Sequence, residues 1–309
     1  MRPERDQRMV PNRRGIMLRS LAMTERKRTM TNWTETYRGG VPPWQCDVTE
    51  HFTVAYYFDR LEEAEANLCE GLGDQPRRIN ARFARELRAG ASFHIESAVL
   101  GVGTETDANQ VRLGHRVVDS ANGEVVTWFD EAWDLSAAPL GAGQRQAFTQ
   151  RIADWNGPAA EIRARPASTE NFIPTARGRV KAGDVNAAGH FAMGAIVHRF
   201  SNASGQLGNA IGMDGTYMQT QRRGFSTFEL ILQLSGTLGL DAPYLVQTGI
   251  GYIGGSSLRM IHRMTDARTG IEIAQLSQYG VNLDLDARRP ARWPDDIRVR
   301  AGALLVAEG

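Results

Sequence analysis

The sequence predicts an α+β fold made of two similar halves, each a long helix lying on an antiparallel sheet. Three observations predict it. Two short motifs recur in the same order. The elements around each copy follow one order: strand, helix, then a run of strands. A stretch rich in Ala, Pro and Gly separates the copies. The length of 309 residues suits two domains.

The repeat comes first. His115, Asp119 and Gly123 recur as His262, Asp266 and Gly270, each 147 residues further on. Upstream, Asp47, His51 and Phe52 correspond to Asn186, His190 and Phe191 at an offset of 139 residues, as do Arg60 and Ala64 to Arg199 and Ala203. The change in offset requires an insertion in the second copy, and the polar stretch Gly212–Gly224 is the place for it.

The elements follow in order. A strand over Thr36–Val41 leads to a helix over His51–Leu72, where Val54, Phe58, Leu61, Leu68 and Leu72 stand at helical spacing. Strands over Ala91–Val102, Val111–Val118 and Val125–Leu135 come next, with a hairpin turn at 119–124. The second copy repeats this: a strand over Arg177–Lys181, a helix over His190–Leu207, and strands over Phe228–Leu234, Tyr244–Ile253, Leu258–Met264 and Ile271–Leu285. The organisation is then a disordered basic arm over 1–32, a first repeat over 33–135, a linker over 136–176 and a second repeat over 177–309. Within the linker, Gln146–Trp155 reads as a short surface helix. The arm carries nine Arg and Lys but no apolar core, so it is no secretory signal; Met23 or Met30 is an alternative start.

Composition narrows the function. Hydrophobic residues make up 42% and charged residues 23%, which allows an ordinary core. A formal net charge of +1 argues against a nucleic-acid partner. No apolar run approaches the ~18 residues of a bilayer span, so no membrane partner and a cytoplasmic location are expected. Cys46 and Cys69 lack C-x-x-C spacing, and no histidine pair has ligand spacing, so neither a metal nor any other cofactor is expected.

Asp47, His51 and Tyr57 match the segment D-x-x-G-H-x-N-x-x-x-Y, with Glu50 at the glycine and Thr53 at the asparagine. The acidic pair Glu62 and Glu63 stands further along the helix. The second copy keeps Gly189 and His190, but has Asn186, Ala192 and Asn202 where the first has Asp47, Thr53 and Glu63. In these residues the chain resembles the hot-dog thioesterase family, the superfamily of 4-hydroxybenzoyl-CoA thioesterase, over nearly all of residues 33–300. The resemblance implies two hot-dog domains in tandem, each a long helix wrapped by an antiparallel sheet, paired as an internal pseudo-dimer with sites at their interface. It implies an acyl-CoA or acyl carrier protein thioester as substrate. The double unit could pair further as a homodimer.

A thioester leaves as a thiolate that is stable near neutral pH, so little acid catalysis is needed. What is needed is a carboxylate to activate water or attack, and donors for the oxyanion. A helix N-terminus supplies such donors. Asp47, in the bend before a helix, is the first candidate for base or nucleophile; its structural alternative is a helix N-cap. Glu63 is the second candidate; its alternative is a solvated helix face. His51 and His190 are candidates for orienting the carbonyl, and Asn186 is the second-copy counterpart of Asp47. Thr53, Tyr57 and Gly189 are substrate-binding candidates, Gly189 because it would let substrate approach the backbone. Arg222 and Arg223 are candidates for coenzyme A phosphates. Glu50 would crowd the first site. One working site built around Asp47, Glu63 or both is expected, with the other degenerate. Two competing readings are a hydratase, from Asp184 and His190, and a non-catalytic acyl-CoA-binding protein.

Overall fold

The computed structural model describes residues 32–47, 49–69, 72, 76–103 and 109–307. The arm expected over 1–32 lies outside them apart from Asn32, whose side-chain amide donates to the Ile152 carbonyl. The first half contains β1 (Thr34–Gly40), α1 (Val54–Leu68), β2 (Arg78–Phe83), β3 (Ser92–Val102), β4 (Gln110–Asp119) and β5 (Val125–Asp134). After α2 (Ala142–Thr149), the second half contains β6 (Ile173–Arg179), α3 (Met193–Ile211), α4 (Gly215–Thr220), β7 (Arg223–Leu234), β8 (Pro243–Ile253), β9 (Ser257–Asp266) and β10 (Glu272–Asp284). The two-residue strand β11 (Arg289–Pro290) and α5 (Asp295–Gly302) close the chain.

All described strands form one antiparallel sheet. Its order is β1-β3-β4-β5-β2 and then β7-β10-β9-β8-β6, so each half has the same order read outward from the centre. The halves join where β2 pairs with β7, from Arg78 opposite Gln233 to Arg82 opposite Glu229. Ile79, Ala81, Leu230 and Leu232 are buried at this seam, and an apolar core runs through both halves beneath α1 and α3. The two helices touch at Gly194. A side chain there would strike the backbone and carboxylate of Asp59, so glycine permits the approach.

The sequence reading missed β2. Its six residues do alternate, with Arg78, Asn80 and Arg82 between Ile79, Ala81 and Phe83, and the polar side is tied down by charge: Arg82 and Arg163 both bind Glu229, which is buried. The stretch expected as a linker is a strap tied to the outer face. Ala153 N donates to the Val99 carbonyl, and Trp155 packs on Gly114 beside Trp33 and Trp128. Its helix covers Ala142–Thr149, earlier than expected, and β6 already begins at Ile173. Both long helices start three residues after the predicted point, because the histidine loops before them are extended. The expected insertion region follows the end of a longer second helix and holds α4 and the start of an extended β7.

Candidate active site

Between β1 and α1 the chain forms a tight loop held by Asp47. Its Oδ1 accepts hydrogen bonds from Thr49 N (2.8 Å), Thr49 Oγ1 (2.6 Å) and His51 N (3.2 Å). Asn186 builds the same loop between β6 and α3, its Oδ1 accepting from Ala188 N (3.0 Å) and His190 N (3.1 Å). The backbone bonds match too: Asp47 N to His51 O and Asn186 N to His190 O are both 2.8 Å. These bonds use only an acceptor oxygen, so Asp and Asn serve equally in the loop. The N-caps are Thr53 and Ala192, neither with a side-chain capping bond, so the N-cap reading of Asp47 is corrected.

Glu50 and Gly189 occupy the same left-handed position, at φ 65° and 78°. A side chain at Gly189 would meet nothing within 4 Å. The glycine therefore answers a backbone need, not the close substrate approach expected of it. The Glu50 side chain is exposed and lines neither large cavity.

His51 is buried, at 5% exposure. Its Nδ1 lies 2.7 Å from Thr49 Oγ1, whose single proton is donated to Asp47. Nδ1 therefore donates to Thr49, and Nε2 lies 3.1 Å from both the Arg88 guanidinium and the Glu86 carboxylate. Burial holds the imidazole below its usual pKa; Glu86 and Asp47 oppose this, and Arg88 and Arg288 add to it. The ring, Thr49 and Asp47 form one chain of hydrogen bonds.

Two large cavities lie between the halves. The first, about 630 Å³, brings Asp47, His51, Thr53 and Tyr57 against Ser201 and Asn202 of α3 and Gln278 of β10. The second, about 800 Å³, brings Asn186 against Glu62, Glu63 and Glu65 of α1. Asp47 and Glu63 are thus in different cavities, and Asn202, the counterpart of Glu63, faces Asp47. Glu63 is 54% exposed and paired with Arg60 at 3.0 Å. Tyr57 is buried with its hydroxyl accepting from Leu87 N, and burial raises its pKa. Gly189 and His190 line neither cavity; His190 forms a β-bridge with Gly239.

The helix N-termini differ. Met193 N, the first amide of α3, donates to Glu62 Oε1 of α1 at 2.7 Å. The counterpart of Glu62 is Ser201, and among the described residues no carboxylate reaches the amides of Val54 and Ala55. These amides open α1, and Val54 lines the first cavity. Both N-termini line a cavity, Val54 the first and Met193 the second, but only the amide of Met193 is plugged by a carboxylate from the other half.

Behind each cavity a histidine anchors a matched polar chain. In the first half Thr36, Ser97 and His115 are linked at 2.6 Å each, and Glu131 lies beside His115 at 3.6 Å. Burial, and then the Glu131 charge, push Glu65 well above the usual carboxylate range. Burial also works to raise Glu131, but His115 and hydrogen bonds outweigh it and hold it low. In the second half the chain is Thr175, Thr248, His262, Gln278 and Ser204. Burial lowers His262 to about 4. The sequence reading missed Glu62, Ser201, Glu65, Ser204, Glu131 and Gln278 as site residues. The repeat offsets pair them off and could have found them.

Arg222 and Arg223, expected to hold phosphate, are bound to Asp286 (3.1 Å) and Asp284 (2.9 Å) and stand outside the cavity lining. Asp184 is tied to Arg199 at 2.6 Å. Among the described residues no group of three or more His, Cys, Asp or Glu is placed to hold a metal, and no helix is long and apolar enough to cross a membrane.

Residues 180–300 match the family model described as thioesterase-like superfamily. No curated protein matches the sequence. Two solved structures share the fold. An acyl-ACP thioesterase from Bacteroides thetaiotaomicron is 12% identical, with a TM-score of 0.59 over 81% of this chain and 98% of that one. A 12:0-ACP thioesterase from Umbellularia californica is 12% identical, with a TM-score of 0.58 over 81% of this chain and 94% of that one. The chain therefore has the hot-dog fold of these thioesterases, and its second half carries the sequence pattern of the thioesterase-like superfamily.

Proposed function

We propose that this protein is a tandem pair of hot-dog units that hydrolyses an acyl thioester, carried on coenzyme A or an acyl carrier protein, in the first cavity. The observation that carries the reading is the open N-terminus of α1 beside the Asp47 loop, set against the plugged N-terminus of α3. The fold shared with thioesterases supports it.

In this reading the thioester carbonyl lies at the first turn of α1, where the Val54 and Ala55 amides and the helix dipole stabilise the developing oxyanion. Oδ1 of Asp47 is committed to the loop. Among the described residues no donor reaches Oδ2, which takes the proton from an attacking water. The water oxygen bonds to the carbonyl carbon, the carbon–sulfur bond breaks, and the thiolate leaves without an acid. The Thr49–His51 chain holds Asp47 in place. The second cavity has no such reaction centre, because Glu62 occupies its oxyanion donor.

Asp47→Asn tests this cleanly, since Asn186 shows that an amide keeps the same loop bonds. Thiol release from an acyl-CoA panel should fall by roughly 10²–10⁴-fold in kcat/KM, with unchanged thermal unfolding. Wild-type activity in Asp47→Asn would overturn the proposed role. Saturable acyl-CoA binding without turnover by the wild type would favour a binding protein instead.

A further inference from the structure

The second half's insertion lies against the first cavity. Beyond α3, Gly212 turns the chain at φ 84°, and Asp214 caps α4 by accepting from Tyr217 N at 2.8 Å. The Tyr217 hydroxyl then donates to Asn282 Oδ1 of β10 at 3.3 Å, which pins α4 to the sheet. From this insertion Met213 and Met218 project into the cavity lining.

The cavity runs along α3. Ser201, Gly205, Gly208 and Asn209 all line it and share one stripe of the helix. Ser201 lines the same cavity as Val54 at the start of α1, and it is the counterpart of the Glu62 that meets Met193. Met213 sits at the other end: a side chain on Gly208 would meet its carbonyl at 3.0 Å and its Cε at 3.2 Å. At ~1.5 Å per residue, the stretch from 201 to 209 is about 12 Å long. The end methyl takes up ~2 Å of this against the wall, and an extended chain advances ~1.2 Å per bond, so the length holds roughly eight bonds, a chain of about nine carbons. Met213, Met218, Phe225 and Met260 give the cavity an apolar wall, and the polar Gln206 and Asn209 of α3 also line it.

Building on the thioesterase reading, we propose that α4 and its two methionines form the end wall of an acyl-chain pocket, and that the preferred acyl group is an unbranched saturated chain of roughly eight to ten carbons. The carbonyl lies at α1, the chain follows α3, and its methyl end meets Met213 and Met218. Unbranched thioether side chains suit such a wall, since they adapt to irregular apolar surfaces.

The test is the chain-length profile of kcat/KM over saturated acyl-CoAs from butyryl to palmitoyl. The wild type should peak at eight to ten carbons. Met218→Ala should move the optimum upward by two carbons or more, and Met218→Phe should move it downward. One methylene in an apolar pocket changes selectivity by ~10-fold or more, so the shift is readable. Met218 is only half-buried, which favours folding of both variants. An unmoved optimum in both variants would overturn the inference. If the wild type turns over no thioester, hydrolysis fails as a reading. Binding of nonhydrolysable acyl-CoA thioethers then gives the same length profile: a shifted profile supports the wall, and an unshifted one overturns it.

Discussion

The two halves share a strand order and a loop, yet they treat the start of the long helix in opposite ways. In the second half Glu62 crosses over and accepts from the first amide of α3. In the first half Ser201 stands at the counterpart position and is too short to do the same. A carboxylate at a helix N-terminus is favourable on its own, by the dipole and by a charge-assisted hydrogen bond. The plug thus stabilises, and it removes the donor an oxyanion would need. The open end gives up that stabilisation and keeps the donor. On the proposed reading, stability and catalysis are divided between equivalent positions of one fold.

The most direct way to break this comparison is to plug the open helix. Ser201→Glu places a carboxylate opposite the Val54 amide, as Glu62 is placed opposite Met193. Loss of an oxyanion donor costs about 10²–10³-fold in rate, so kcat/KM for acyl-CoA should fall by that order. Ser201→Gln fills the same space without the charge and should lose less. Equal losses in the two variants would mean that bulk, not charge, is what matters at the α1 terminus.

The polar chains behind the cavities extend the comparison. Both are built on a buried histidine, but Glu65 and Glu131 in the first half are replaced by Ser204 and Gln278 in the second. Their pH responses should run in opposite directions. His262 is held neutral, with its pKa lowered to about 4 from 6.5. The unfolded chain binds this proton first as pH falls, so the contribution is full above 6.5 and is lost as pH falls toward 4. At 1.36 kcal/mol per unit the limit is about 3 kcal/mol. Glu65 is raised, so its contribution is full below the ordinary carboxylate pKa and is lost as pH rises through the folded value. Urea unfolding across pH 4.5–8 should show the acid loss reduced in His262→Gln. Glu65→Gln, a mimic of the protonated acid, should gain stability at the alkaline end. Parallel pH curves for wild type and both variants would refute the contrast.

The matched order of elements in the two halves was legible in the sequence because histidines and turn residues recur at fixed offsets. So was Asp47 beside a helix start, because an acid before an amphipathic run is a local pattern. Which cavity each residue enters was not legible. Asp47 and Glu63 lie 16 positions apart on one half, yet each faces the other half, and only the β2–β7 seam decides that. The plug was hidden for the same reason: Glu62 and Met193 are 131 residues apart. Strand β2 alternates over only six residues, Arg78–Phe83, and its place at the seam with β7 is set by pairing across about 150 residues of sequence. The glycine at 189 was read as space for a ligand, whereas its backbone angle is what it provides.

That last point gives the mildest way to sharpen the comparison. Glu50 holds at φ 65° the conformation that Gly189 holds at φ 78°. A left-handed residue with a Cβ costs roughly 1–2 kcal/mol. Glycine regains this but gives the unfolded chain more freedom, worth about 0.5–1 kcal/mol. Glu50→Gly should therefore stabilise the protein by up to about 1 kcal/mol. Gly189→Ala should destabilise it through the backbone alone, because its Cβ would stand in open space. Opposite shifts in the chemical unfolding midpoint would confirm that the two loops are energetically equivalent. A loss of stability in Glu50→Gly would mean that the Glu50 side chain is held by a contact that its exposed position does not reveal.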